Sequence, residues 1–232
     1  MDDANASNDL IAGQAGSLVP AQMLMFWERS SEPWGVKNAE LKFIYANQAY
    51  LNLMGVDYVL GKRSSDLPLF DFADSFEQQD RLVMERLDRV TSLEIHRFGG
   101  KNSYSAFMFD KYPLLDQNNK ISGVVFHGRL ARDFGVKTFI TGEIPAPLTF
   151  EKPTQLLSEK EWGTLFLLLM GKNRKEIAKI HGLSLKTIEQ RINNSLTKTL
   201  QPTTQQLIQY AIKEGWHRYI PSEFLSECSI LL

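Results

Sequence analysis

The 232-residue sequence predicts an α+β domain, built on an antiparallel sheet with flanking helices, followed by an all-α domain. Three observations carry that reading. Residues 34–132 run strand, strand, short helices, long helix and three strands, whereas residues 157–215 are helical by period. Charge also divides the chain: residues 1–150 hold 15 Lys/Arg against 19 Asp/Glu, and residues 151–220 hold 11 against 6. The hydrophobic content of 43% is ample for a buried core, and the length suits one or two domains. A basic excess in the later part points to an anionic partner, although an ordinary solvated domain can carry as much.

Taken in order, residues 1–17 are small and polar and are expected to be disordered. "LVPAQMLMFWERS" (18–30) reads as a short amphipathic helix that exposes Met23, Phe26 and Trp27 to a partner surface. "WGVKNAELKFIYANQAY" reads as two strands around a polar turn at Asn38–Glu40, with Phe43 and Tyr45 on one face. A helix capped by Asn47 and ended by Gly55 follows. The next helix places Phe76, Leu82, Val83, Leu87 and Val90 at helical spacing. "SLEIHRF", "SYSAFMFDKYPLL" and "ISGVVFHGRLA" have strand character and are parted by Gly99–Gly100 and "DQNNK". In the first of these, Leu93, Ile95 and Arg97 alternate with Glu94, His96 and Phe98, and either set can face inward. Residues 133–156 hold three prolines and little period, the mark of a linker. Residues 157–220 form the second domain, and 221–232 an apolar tail that suits either the second domain or a dimer contact.

Within the second domain, Arg174–His181 and Leu185–Leu200 read as two helices joined at Gly182, a residue that tolerates positive φ, with Ser184 as N-cap of the second. Ile177, Ala178 and Ile180 face inward in the first. Leu185, Ile188, Ile192 and Leu196 form one stripe in the second, leaving Lys186, Glu189, Gln190, Asn193 and Thr197 on the opposite face. A polar face flanked by cations suits a helix that reads base edges in the DNA major groove while lysines hold phosphates. It equally suits a solvated helical hairpin.

"LSEKEWGTLFLLLMGKNRKEIAKIHGLSLKTIEQRINNSLTKTL" (157–200) resembles the LuxR/GerE-type helix-turn-helix. The shared elements are Leu157–Glu161, Gly171 with Lys175–Ala178, and Leu183–Ile188. The resemblance implies a transcription regulator that binds double-stranded DNA as a homodimer, with RNA polymerase as a candidate partner. It carries base contacts onto Glu189, Gln190 and Asn193, beside Lys186; many relatives bear cations there, so the operator is expected to differ. Glu suits cytosine N4, and Gln or Asn suits adenine; pairing of Glu189 with Lys186 or Asn193, with specificity taken from DNA shape, is the alternative. Lys172, Lys175, Thr187 and Lys198 are the phosphate candidates. A fourth helix, "TTQQLIQYAIKEG", pairs two domains in the family, so Leu207 and Ala211 join Met23, Phe26 and Trp27 as dimer candidates.

Residues 33–132 resemble a PAS domain, through "PWGVKNAELKFIYANQAYLNLMG" and the order of elements after it. The order PAS then helix-turn-helix is similar to that of pyrazine-sensing quorum receptors and of TraJ-like conjugation activators. PAS domains cradle a small molecule or serve simply as dimerisation scaffolds. No cysteine lies in residues 33–132 and no histidine in 73–90, which disfavours a cysteine-dependent flavin and the usual PAS haem. The aromatic load, Phe43, Tyr45, Phe70, Phe72, Phe76, Phe98, Tyr104, Phe107, Phe109 and Phe126, suits a pocket for a small, flat, weakly polar ligand. Lys101, Tyr45, His96 and His127 are its candidate polar groups; plain core packing accounts for the same aromatics.

Other classes fit poorly. No metal-ligand cluster, glycine-rich phosphate loop or G-x-S-x-G is evident, so an enzyme is not expected. Cys228 is the only cysteine, which gives no disulfide framework. The acidic start lacks the features of a signal peptide, and no apolar run reaches a membrane span, so a cytoplasmic setting without membrane contact is expected.

Overall fold

The computed structural model describes residues 16–133 and 146–232. The expectations for the start of the chain and for the middle of the linker fall on residues 1–15 and 134–145, outside the described residues. The chain divides into two compact units: one ends at Ala131 and is rejoined by Glu227–Leu232, and the other is Arg132–Ser226.

The first unit opens with helix α1 (Ala21–Glu28), then strands β1 (Trp34–Asn38) and β2 (Phe43–Ala46). Helix α2 (Gln48–Met54) starts where the Asn47 side chain accepts from the Tyr50 N–H and stops at Gly55, whose φ of 66° is left-handed. The long helix α3 (Ala73–Arg86) precedes β3 (Val90–His96), β4 (Ser105–Leu115) and β5 (Ile121–Leu130). Strand β8 (Cys228–Leu231) completes a six-stranded antiparallel sheet in the order β2-β1-β5-β4-β3-β8. The final residues, read from sequence as a tail, are therefore an edge strand of the first sheet.

The two faces of that sheet carry different cores. Val19, Trp27, Val36 and Ile44 pack on one side, under α1. Phe43, Tyr50, Met54, Phe98, Phe107, Phe109 and Phe126 pack on the other. Phe43 and Tyr45 were expected on one face and are not: the β1–β2 register pairs Val36 with Tyr45 but Lys37 with Phe43, so Ile44 forms a bulge that reverses the alternation. Strand β3 turns its polar set inward, with Val90, Ser92, Glu94 and His96 buried.

In the second unit, short strands β6 (Arg132–Asp133) and β7 (Ala146–Pro147) pair antiparallel. Four helices follow: α4 (Glu159–Leu169), α5 (Arg174–His181), α6 (Leu185–Thr199) and α7 (Thr204–Lys213). Each start is fixed by a side chain, from Ser158, Asn173, Ser184 and Thr203 in turn. Gly182 ends α5 with a φ of 63°, as the turn required. Ile177, Ile188 and Ile192 pack with Leu167 and Leu168, while Trp162 packs with Trp216 and Tyr219. Ile180 and Leu185 depart from the expected stripe and are 49% and 39% exposed, because each lies at the helix end nearest the turn. Among the described residues no helix is long and apolar enough to cross a membrane.

Candidate functional site

The inner face of the first sheet borders a partly open cavity of about 50 Å³. A single water needs about 10–15 Å³ by this kind of measure, so the space suits a small group rather than a long one. Tyr50, Met54, Leu67, Phe76, Phe98, Phe109 and Phe126 give it apolar walls, and Lys37, Ser64, Glu94 and Lys111 supply polar atoms. Two wall rings depend on glycines opposite them. Phe126 pairs with Gly35 and Phe109 with Gly128 across the sheet, and a Cβ at either glycine would collide with the ring.

Behind the cavity wall, Asp80 of α3 sits between two of the lining lysines. Lys37 Nζ donates to Asp80 Oδ2 at 2.6 Å and Lys111 Nζ to Asp80 Oδ1 at 2.6 Å. Lys37 also donates to Ser64 Oγ (2.8 Å), and Lys111 to the Phe76 carbonyl (3.0 Å). Asp80 is fully buried, and the lysine side chains are 4% and 7% exposed. Burial by itself raises the Asp80 carboxyl, but the two ammonium groups outweigh it and hold it below its ordinary value. Burial draws Lys111 down, against the pull of Asp80. Burial, and then the charge of Asp80, pushes the Tyr50 hydroxyl far above its usual range. An ammonium has three N–H donors, so each lysine retains one for a further acceptor inside an apolar enclosure.

A second polar cluster surrounds Glu94, the β3 residue in the cavity wall. Glu94 Oε1 accepts from Gln79 Nε2 (3.1 Å) and from Ser229 Oγ (2.9 Å), and Glu94 Oε2 lies 2.9 Å from His96 Nε2. The His96 ring packs edge-on to Phe76 and Phe98, with Phe72 at a centroid distance of 4.3 Å.

In the second unit, α6 presents Lys186, Gln190 and Asn193 to solvent, with Glu189 and Thr187 half-buried beside them. The Thr187 hydroxyl is 2.9 Å from that of Ser184, within the N-cap. Lys172 and Lys175 are exposed near the start of α5, and Lys172 lies 3.9 Å from Glu176 in a screened pair. Lys198 is engaged: its Nζ meets Glu161 Oε2 at 2.7 Å, and the same oxygen accepts from the Ser158 N–H. Burial raises Glu161, but Lys198 and the Ser158 hydrogen bonds together hold it below its ordinary value.

Residues 27–132 match the PAS fold family. Across the whole chain, VqmA of Vibrio cholerae, solved as a ligand–DNA complex, is 29% identical over 91% of this chain and 95% of its own, with a TM-score of 0.71. A phage VqmA, solved as a complex with DPO, is 31% identical over 91% and 94%, with a TM-score of 0.64. The chain belongs to the VqmA family. Among curated protein sequences nothing matches. The VqmA likeness bears out the architecture read from the motifs, a PAS domain followed by a LuxR/GerE-type helix-turn-helix.

Against that VqmA-like frame, the expected pocket residues divide. Phe76, Phe98, Phe109 and Phe126 line the cavity, and Phe43 and Phe107 back it within the same core. Tyr45 and His127 lie on the opposite face: Tyr45 donates to Glu28 (2.9 Å), and His127 stacks on Trp34 and meets Glu32 at 2.6 Å. Lys101 is exposed on the loop after Phe98–Gly100, away from the cavity. Trp27, expected to be exposed, is 2% exposed because it stacks on Trp34, whereas Met23 and Phe26 are 47% and 68% exposed. Leu207 and Ala211 are wholly buried in their own unit's core. Sequence reading missed Lys37, Ser64, Asp80, Glu94 and Lys111. A signal was present in the helix, since Asp80 lies four residues after Phe76 and three before Val83, a charge inside an apolar stripe. Lys111 stands two residues beyond Phe109 on the same strand face.

Proposed function

We propose that the chain is a bacterial transcriptional regulator that binds double-stranded DNA as a homodimer and whose PAS cavity receives a small heteroaromatic ligand. The observation that carries this reading is the aromatic cavity with two buried lysines, each retaining a donor, in a chain that is similar to VqmA over 91% of its length. Such a site favours a single flat ring with an acceptor for Lys37 or Lys111 and a donor for Glu94. Ligand acts on DNA binding only through its differential affinity for competent and incompetent arrangements of the chain.

On the DNA side, the exposed residues Lys186, Gln190 and Asn193 supply base contacts with Glu189 at their margin, and Lys172, Lys175 and the Thr187 N-cap region face phosphates. Lys198 serves the fold through Glu161 more than it serves DNA. Met23, Met25 and Phe26 give α1 an exposed apolar strip suited to a second copy, and a dimer presents two recognition helices to two half-sites. A cytoplasmic, non-enzymatic role follows from this reading.

The test is calorimetric titration of the full chain with DPO, the compound named in the phage VqmA complex. One site per chain is expected, abolished by Lys111→Met, which keeps the volume and removes the donor. Absence of binding, or binding unchanged by Lys111→Met, overturns the ligand assignment and leaves the PAS domain as a dimerisation scaffold.

A further inference from the structure

Strand β8 is more than an edge cover. Its register pairs Ser92 with Leu231, Leu93 with Ile230, Glu94 with Ser229 and Ile95 with Cys228, and the Leu232 N–H donates to the Thr91 carbonyl at 2.9 Å. Without it, β3 would be an open sheet edge. The Ser229 hydroxyl lies at the centre of a hydrogen-bonded triangle: Gln79 Nε2 donates to it at 2.7 Å, it donates to Glu94 Oε1 at 2.9 Å, and Gln79 also donates to that oxygen at 3.1 Å. Gln79 comes from α3, one residue before Asp80, and Glu94 is a wall residue of the cavity. The neighbouring residue Glu227 lies 3.9 Å from His96 Nδ1, the ring atom left without a hydrogen bond, while His96 Nε2 meets the other Glu94 oxygen.

Glu94 is 2% exposed, and a buried carboxylate needs its acceptors engaged. Oε1 takes two donors, and Oε2 takes at most one from His96, so Oε2 retains an acceptor site. The Glu94 carboxylate, part of the cavity wall, is held by groups from three elements: Gln79, His96 and Ser229.

We propose that β8 belongs to the ligand site: Ser229 is a positioning residue that fixes Glu94 in the cavity wall, so that ligand binding and docking of β8 strengthen each other. This rests on the ligand reading above. Reciprocity is a thermodynamic requirement, because a strand that raises ligand affinity must itself be held more tightly when ligand is bound. The chain leaves the first unit at Ala131 and returns at Glu227, so a docked β8 ties both ends of the second unit to the sensor sheet. Occupancy of the cavity thereby has a covalent route to the unit that carries the helix-turn-helix.

The experiment compares the full chain, Ser229→Ala, Ser229→Thr and a chain ended after Ser226. DPO is the titrant, with melting temperature and hydrogen exchange of residues 227–232 followed in parallel. Ser229→Ala is expected to weaken DPO about fivefold to tenfold, within what loss of one hydrogen bond to a charged group allows, with little change in melting temperature. Ser229→Thr restores the hydroxyl and brings the affinity back, the shortened chain loses at least as much as Ser229→Ala, and DPO slows exchange in β8. Unchanged DPO affinity in Ser229→Ala and in the shortened chain overturns the proposal. If the unaltered chain takes no DPO, the ligand reading fails, and β8 is judged without ligand: slow exchange that quickens in Ser229→Ala and recovers in Ser229→Thr upholds its tie to Glu94. Exchange at the rate of a free peptide overturns it.

Discussion

Two lysine–carboxylate sites, with contacts of nearly equal length, have quite different standing in this molecule. Lys37 and Lys111 meet Asp80 at 2.6 Å with every partner almost wholly buried. Lys198 meets Glu161 at 2.7 Å with 39% of the lysine side chain in solvent. At the first site the charges are withdrawn from bulk solvent and depend on one another, and removing Asp80 strands both lysines. At the second, solvent already stabilises the lysine, and the carboxylate is held also by the Ser158 N–H as part of a helix start. Length alone ranks the two as equals, and burial decides between them. The same physics fits the first site alone to the proposed ligand, because a desolvated donor discriminates its acceptor more strongly than a solvated one.

The largest effect should come from Asp80→Ala, which leaves two buried ammonium groups without their anion and is expected to cost about 3–5 kcal/mol in chemical denaturation. A cost under about 1 kcal/mol would erase the contrast with Lys198. At the recognition helix, Asn193→Ala is expected to lose about 1–3 kcal/mol of discrimination between preferred and altered duplexes, with no change in ligand affinity, measured by competition binding. Asn173→Ala removes the side chain that accepts from the Lys175 and Glu176 N–H groups and should cost about 1 kcal/mol of stability. Lys198→Ala should cost about 1 kcal/mol or less, diminishing with added salt. Acid provides a fifth comparison. Asp80 titrates below its ordinary value in the folded chain, so the stability it contributes is full above about pH 4 and is lost as pH falls through the folded value. Asp80→Asn should flatten that acid limb in denaturation curves collected from pH 5 downward.

The second unit was the more legible in sequence, because its signals are local. Ser184 and Gly182 mark helix ends within a few residues of the elements they punctuate, and Ile177, Ile188 and Ile192 keep a helical period. In the first unit, Asn47 and Gly55 were equally plain. The polar heart of the cavity was not, because Lys37, Asp80, Lys111, Glu94 and Ser229 come from five separate elements that meet only after the sheet is assembled. The Ile44 bulge added a local trap, since strict alternation sends Tyr45 to the wrong face. Polar residues facing inward on β3 contradict the apolar alternative in Leu93 and Ile95, and the pairing strand that supports them lies more than a hundred residues away.

The central claim, that the cavity of the first unit governs DNA binding by the second, is tested most directly by fluorescence anisotropy of the full chain on a duplex selected in vitro, with and without DPO. The account predicts that DPO shifts the apparent Kd at least about fivefold, the low end of ordinary coupling, and that Lys111→Met removes the shift while keeping the ligand-free affinity. An identical Kd with and without DPO, or a shift that survives Lys111→Met, would contradict it.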